Sequence, residues 1–133
     1  MRKSLVCAVT GVLLAGLAMP SVAAINDDLQ NICTIVKNDD KSELRKKMKS
    51  IRDDYNLKLG DFYDGISCSG QSLIRFAMVS NANEAGEYMI KSMSRNELTK
   101  TEKDGKTIEQ WAEANGHLAG TIGAVLVDRL NGK

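Results

Sequence analysis

His117 is the only histidine in the chain, and Glu113 stands four residues before it, one helical turn away, so the two could share a proton as an acid–base pair. No nucleophile motif, metal-ligand cluster or glycine-rich phosphate loop accompanies them, and such parts are what a reaction centre needs in addition. The expectation is therefore a structural His117, no catalytic residue, no metal and no cofactor. The cysteines offer a second chemistry. Cys7 falls in an apolar leader, which leaves Cys33 and Cys68 as an even pair. In an oxidising compartment such a pair is most simply a disulfide, whereas a redox or metal site would call for CxxC spacing or more than one histidine.

Charge gives a third reading. Lys41, Arg45, Lys46, Lys47, Lys49 and Arg52 form the only dense basic stretch. Gripping phosphate groups on lipid or cell-wall polymer, or an acidic partner, is one reading of it. The solvated side of a surface helix is the expected one, with Glu43 and Lys47 supporting each other. Two of the 18 basic residues, Arg2 and Lys3, lie in the leader, leaving 16 against 17 acidic residues. A nucleic-acid binder would carry a basic excess, and two Phe, three Tyr and one Trp are too few for a stacking platform. Phe62 and Tyr63, with Arg45, Lys49 and Arg52, are the candidate partner contacts, although burial in a core is the commoner fate of adjacent aromatics.

The elements that must position these residues begin after residue 24. Arg2 and Lys3, the apolar run Leu5 to Met19, Pro20 and then Ser21-Val22-Ala23-Ala24 have the order of a secretory signal, cut after Ala23 or Ala24. The run is too short to span a bilayer. Residues 25–133 are then one domain in the periplasm with no membrane span.

Leu29, Ile32, Cys33 and Val36 at helical spacing predict a first helix capped by Asn26 to Asp28. Asp40 with Glu43 predicts the start of a second, which carries Leu44, Met48, Ile51 and Tyr55. From Asp53 to Ser69 periodicity is lost and an irregular segment is expected. Ser72 then caps a helix through Val79, Asn81 and Glu84 cap its return, and Leu98 is the one large apolar residue in the polar stretch 91–106. Thr107 and Gln110 form the clearest capping box, Asn115-Gly116-His117 breaks that helix, and Leu118 to Leu130 form the last, softened by Gly120 and Gly123. Those two glycines allow close approach to a neighbouring helix or mark a terminal unit under weaker demand for stability.

One pattern occurs twice. Gly70, Ser72, Ala77 and Asn81 return 35 residues later as Gly105, Thr107, Ala112 and Gly116, and a period of this size marks stacked supersecondary units. The fold class expected is all-α, about three stacked antiparallel helix pairs with one disulfide. Ala77 and Ala112 are the small residues that let helices meet.

The runs Gly70-Gln71-Ser72-Leu73-Ile74-Arg75-Phe76-Ala77 and Asp104-Gly105-Lys106-Thr107-Ile108-Glu109-Gln110-Trp111-Ala112, with Ala114-Asn115-Gly116-His117, resemble divergent ankyrin repeats. Leu73 and Ile108 stand where that family has proline, and the first pair matches through Ile35 to Asp40. The resemblance implies recognition of another protein by a stacked surface, without catalysis, and a His117 that ties down its turn. The chain is also similar to small exported bacterial proteins, a likeness that supplies no activity. The function expected is a periplasmic protein–protein interaction module. Its alternatives are an immunity protein that neutralises an antibacterial toxin and a binder of lipid or cell-wall polymer.

Overall fold

A computed structural model describes residues 22–132, with side chains from residue 27 onward. The leader expected over 1–24 lies outside the described residues, apart from the backbone of 22–24. Among the described residues there are eight α-helices and no strand: α1 (Val22–Lys37), α2 (Lys41–Tyr55), α3 (Leu59–Phe62), α4 (Leu73–Val79), α5 (Asn83–Ser92), α6 (Arg95–Leu98), α7 (Ile108–Ala114) and α8 (Thr121–Leu130). A 3₁₀ turn, Tyr63–Gly65, follows α3. No helix among the described residues is long and apolar enough to cross a membrane.

Three antiparallel hairpins, α1/α2, α4/α5 and α7/α8, stack in order. Their first helices form one row, α1 against α4 against α7, and their second helices another, α2 against α5 against α8. The three hairpin turns share one geometry. Asp39 (φ 52°), Asn81 (φ 56°) and Gly116 (φ 77°) take the left-handed conformation. The next residue then donates its N–H five residues back, Asp40 to Ile35 O at 3.2 Å, Ala82 to Ala77 O at 2.9 Å and His117 to Ala112 O at 2.8 Å. This 6→1 bond is a Schellman closure, which satisfies a helix-end carbonyl and turns the chain back on itself. The 35-residue pattern is thus a repeated turn geometry, and Ala77 and Ala112, both fully buried, sit at the same place in it.

The disulfide joins Cys33 on α1 to Cys68 ahead of α4, with Cα atoms 5.6 Å apart. It ties the first hairpin to the second. Several local expectations are corrected. Helix α1 runs through Asn26 to Asp28 rather than starting there, and Asp28 instead binds Lys47 Nζ (3.1 Å) and Tyr55 Oη (3.4 Å). Glu43 accordingly pairs with Lys46, not Lys47. The segment after Tyr55 is ordered by α3 and the 3₁₀ turn, because Leu59, Phe62, Tyr63 and Ile66 are all buried. Asn81 does not cap α5. Asp39 of the preceding hairpin does, accepting the Ala85 N–H at 2.8 Å. Gly123 is tight against the carbonyls of His117 and Leu118 in its own turn rather than against another helix, whereas Gly86 of α5 makes the close interhelical approach, to Ile122 of α8.

Candidate functional site

A recess of about 570 Å³ opens between the segment 63–72 and the turn 101–104, with Arg75 and Trp111 at its floor. Arg75 lies within an otherwise apolar run on α4 and is 6% exposed. A buried cation must find carboxylates, and the turn ahead of α7 supplies two. Asp104 takes the fork of the guanidinium, Nη1 to Oδ2 at 2.8 Å and Nη2 to Oδ1 at 3.1 Å, while Nη2 also donates to Lys106 O at 3.2 Å. Nε sits 2.9 Å from Glu102 Oε1, an ion-pair contact whose N–H is not aligned for a hydrogen bond. The guanidinium carbon also lies 5.1 Å from the Trp111 ring centre, a cation–π distance. Trp111 in turn stacks on His117, centroids 5.2 Å apart.

Tyr63 connects the two walls. Its hydroxyl is 3.0 Å from Ser72 Oγ and 3.3 Å from Glu102 Oε2, and it accepts the Ile74 N–H at 3.2 Å. Ser72, expected to cap α4, makes no such bond, and the Tyr63 hydroxyl does so in its place.

The electrostatics follow from burial and pairing. Burial, then the Glu102 charge, drives the Tyr63 hydroxyl far above its ordinary range, so it stays protonated. Burial also raises Glu102, against the opposing pull of Ser72, Arg75 and Tyr63, so desolvation costs this carboxylate more than its partners return. Asp104 is more exposed. The hydrogen bond from Arg75, helped by the Lys106 N–H, lowers it to about 2. For Arg75 itself burial works against the charge, but the Asp104 hydrogen bond and both carboxylates prevail and raise it. The arrangement is a closed network in which each ionised group already has its counterpart.

The residues singled out from sequence are dispersed. Phe62 and Tyr63 are 7% and 5% exposed, the packed fate, and only Tyr63 reaches the recess. Arg45, Lys49 and Arg52 lie exposed on α2 and do not line it. Ala77 and Ala112 are fully buried, and Gly116 takes the left-handed conformation at its turn. Glu113 is exposed, and the His117 ring is occupied in its stack on Trp111. Among the described residues no group of three or more His, Cys, Asp or Glu could hold a metal.

Sequence reasoning passed over Arg75, Glu102 and Asp104. The available signal was a lone charge at the centre of the apolar run Leu73 to Val79, which demands a carboxylate elsewhere.

No curated protein and no solved structure matches the chain. A family model described as protein of unknown function (DUF3718) matches residues 32–100, from within α1 to just past α6, stopping short of Glu102 and Asp104. That match takes in more than half of the sequence, and the chain belongs to the DUF3718 family.

Proposed function

We propose that the protein is a non-catalytic binding module of the cell envelope, carried there by its leader, that holds a partner protein in the recess between segments 63–72 and 101–111. The observation that carries this reading is Arg75. From the floor of the recess it clamps the Glu102–Asp104 turn, and through Glu102 it meets Tyr63 on the opposite wall. The walls are thereby preorganised, and preorganisation lowers the cost of binding. The same closed pairing favours recognition over proton transfer, since a general base must have a free lone pair at a usable pKa. The volume falls in the range of binding clefts, and an aromatic floor with polar walls suits a side chain or short loop of a partner. The ankyrin resemblance points the same way, and the disulfide suits an oxidising compartment.

The test is photo-crosslinking in cells from an unnatural residue at Gln71 or Lys103, with Ser50 on α2 as a comparison site. A protein adduct from the first two positions and not the third is expected, and its identity separates a resident envelope protein from an antibacterial toxin. Adducts from Ser50 alone would overturn the proposal.

A further inference from the structure

The cations of α2 fall into two classes. Lys46, Lys47 and Lys49 each have a carboxylate, Glu43 at 3.5 Å, Asp28 at 3.1 Å and Asp53 at 2.8 Å. Lys41, Arg45 and Arg52 are exposed and, among the described residues, have no carboxylate within ion-pair distance. At about 100° per residue these three lie within roughly 40° of one another around the helix, and at 1.5 Å per residue they form a row about 16 Å long. Of the helix's own carboxylates, Glu43 and Asp54 fall on the opposite side, and Asp53, about 100° round from the middle of the row, is held by Lys49 at 2.8 Å. On the neighbouring helix α5, Glu87 feels Lys41 but is bound to Lys91 at 2.7 Å, so it does not neutralise the row.

We propose that Lys41, Arg45 and Arg52 form a docking surface for an anionic lipid bilayer, with headgroup phosphates against the three cations. A protein interface needs a desolvated apolar centre. This row has none, because Leu44, Met48 and Ile51 are 0%, 6% and 1% exposed and no aromatic side chain lies between the cations. A layer of mobile phosphates needs no such anchor and can meet all three charges at once. With 16 basic against 17 acidic residues beyond the leader there is no overall positive charge, so the attraction is local, acting within about one Debye length, ~10 Å at 0.1 M salt. Docking is peripheral and reversible, and it leaves the recess by Trp111 free.

The experiment is co-sedimentation of the purified protein with phosphatidylglycerol–phosphatidylcholine vesicles at low and high salt. The variants are the triple Lys41→Gln/Arg45→Gln/Arg52→Gln and, as control, Lys46→Gln, each with its melting temperature checked against the parent. Binding at low salt that disappears at high salt is expected. At roughly fivefold per charge removed, the triple variant should bind about 100-fold more weakly, and the control no more than a few-fold. Three results would each overturn the proposal: no sedimentation at low salt, equal binding to pure phosphatidylcholine vesicles, or equal binding by the triple variant. Binding to soluble polyphosphate without binding to vesicles would overturn it too.

Discussion

Arg75 and Asp104 show how much a single contact decides here. Asp104 has a folded pKa of about 2 against an ordinary 3.8, so its ionised form is favoured by folding. The stability it contributes is complete above pH 3.8 and disappears as the pH falls towards 2. Asp104→Asn should therefore melt below the parent at neutral pH, with the gap closing between about pH 4 and pH 2. Melting curves across that range check it, and a gap independent of pH would refute the pairing. Arg75 is the more costly residue to lose. Arg75→Met leaves Glu102 buried without its cation and should cost about 3–5 kcal/mol in denaturant unfolding. Adding Glu102→Gln should recover part of that loss, because the orphaned charge is removed along with its partner.

At the scale of the element, helices are terminated locally and positioned by distant groups. The capping box of α7, Gln110 N–H to Thr107 Oγ1 at 3.1 Å and Thr107 N–H to Gln110 Oε1 at 2.9 Å, was legible because both partners lie within four residues. So were the apolar faces of α2 and α7 and the break at Gly116. The caps of α4 and α5 were not, since Tyr63 and Asp39 reach them from 11 and 46 residues away. The floor of the recess was hidden for the same reason, with Asp104 lying 29 residues beyond Arg75. Local periodicity says which side of a helix is buried, and says nothing of which turn arrives to cover it. Gly86 is a further instance. A methyl there would meet the Ile122 side chain at 2.6–3.1 Å, so Gly86→Ala should destabilise by about 1–3 kcal/mol. Ile122→Val removes the nearest atom, and in a double-mutant cycle it should lessen the penalty of Gly86→Ala.

Across the whole molecule, each junction between hairpins has its own fastening. The first and second are joined by Cys33–Cys68 and by the Asp39 cap on α5. The second and third are joined by Arg75 to the Glu102–Asp104 turn, by Gly86 against Ile122, and by Arg129 Nη2 to Met93 O at 2.9 Å. A stack of this kind gains stability unit by unit, so a fastening acts on its own junction first. With its cysteines 35 positions apart in sequence, the disulfide should contribute roughly 3–4 kcal/mol in the chain-entropy view. Cys33→Ser/Cys68→Ser should therefore lower the unfolding midpoint markedly while helical circular dichroism persists at low temperature. Loss of all helical signal would mean that the stack depends on the bond to form. The recess has one wall at each junction: segment 63–72 contains Cys68 and is tied to α1 by sulfur, while Arg75 holds the turn 101–104, so the double substitution should loosen the first wall and leave the Arg75–Asp104 pairing in place.

The most direct measurement of the central claim, that the recess between 63–72 and 101–111 is where a partner is held, is amide hydrogen exchange of the protein alone and in complex with the crosslink-identified partner. Slowed exchange confined to those two segments is the predicted result. Protection confined to the hairpin turns at 38–40, 80–82 and 115–117, with the recess unchanged, would contradict it.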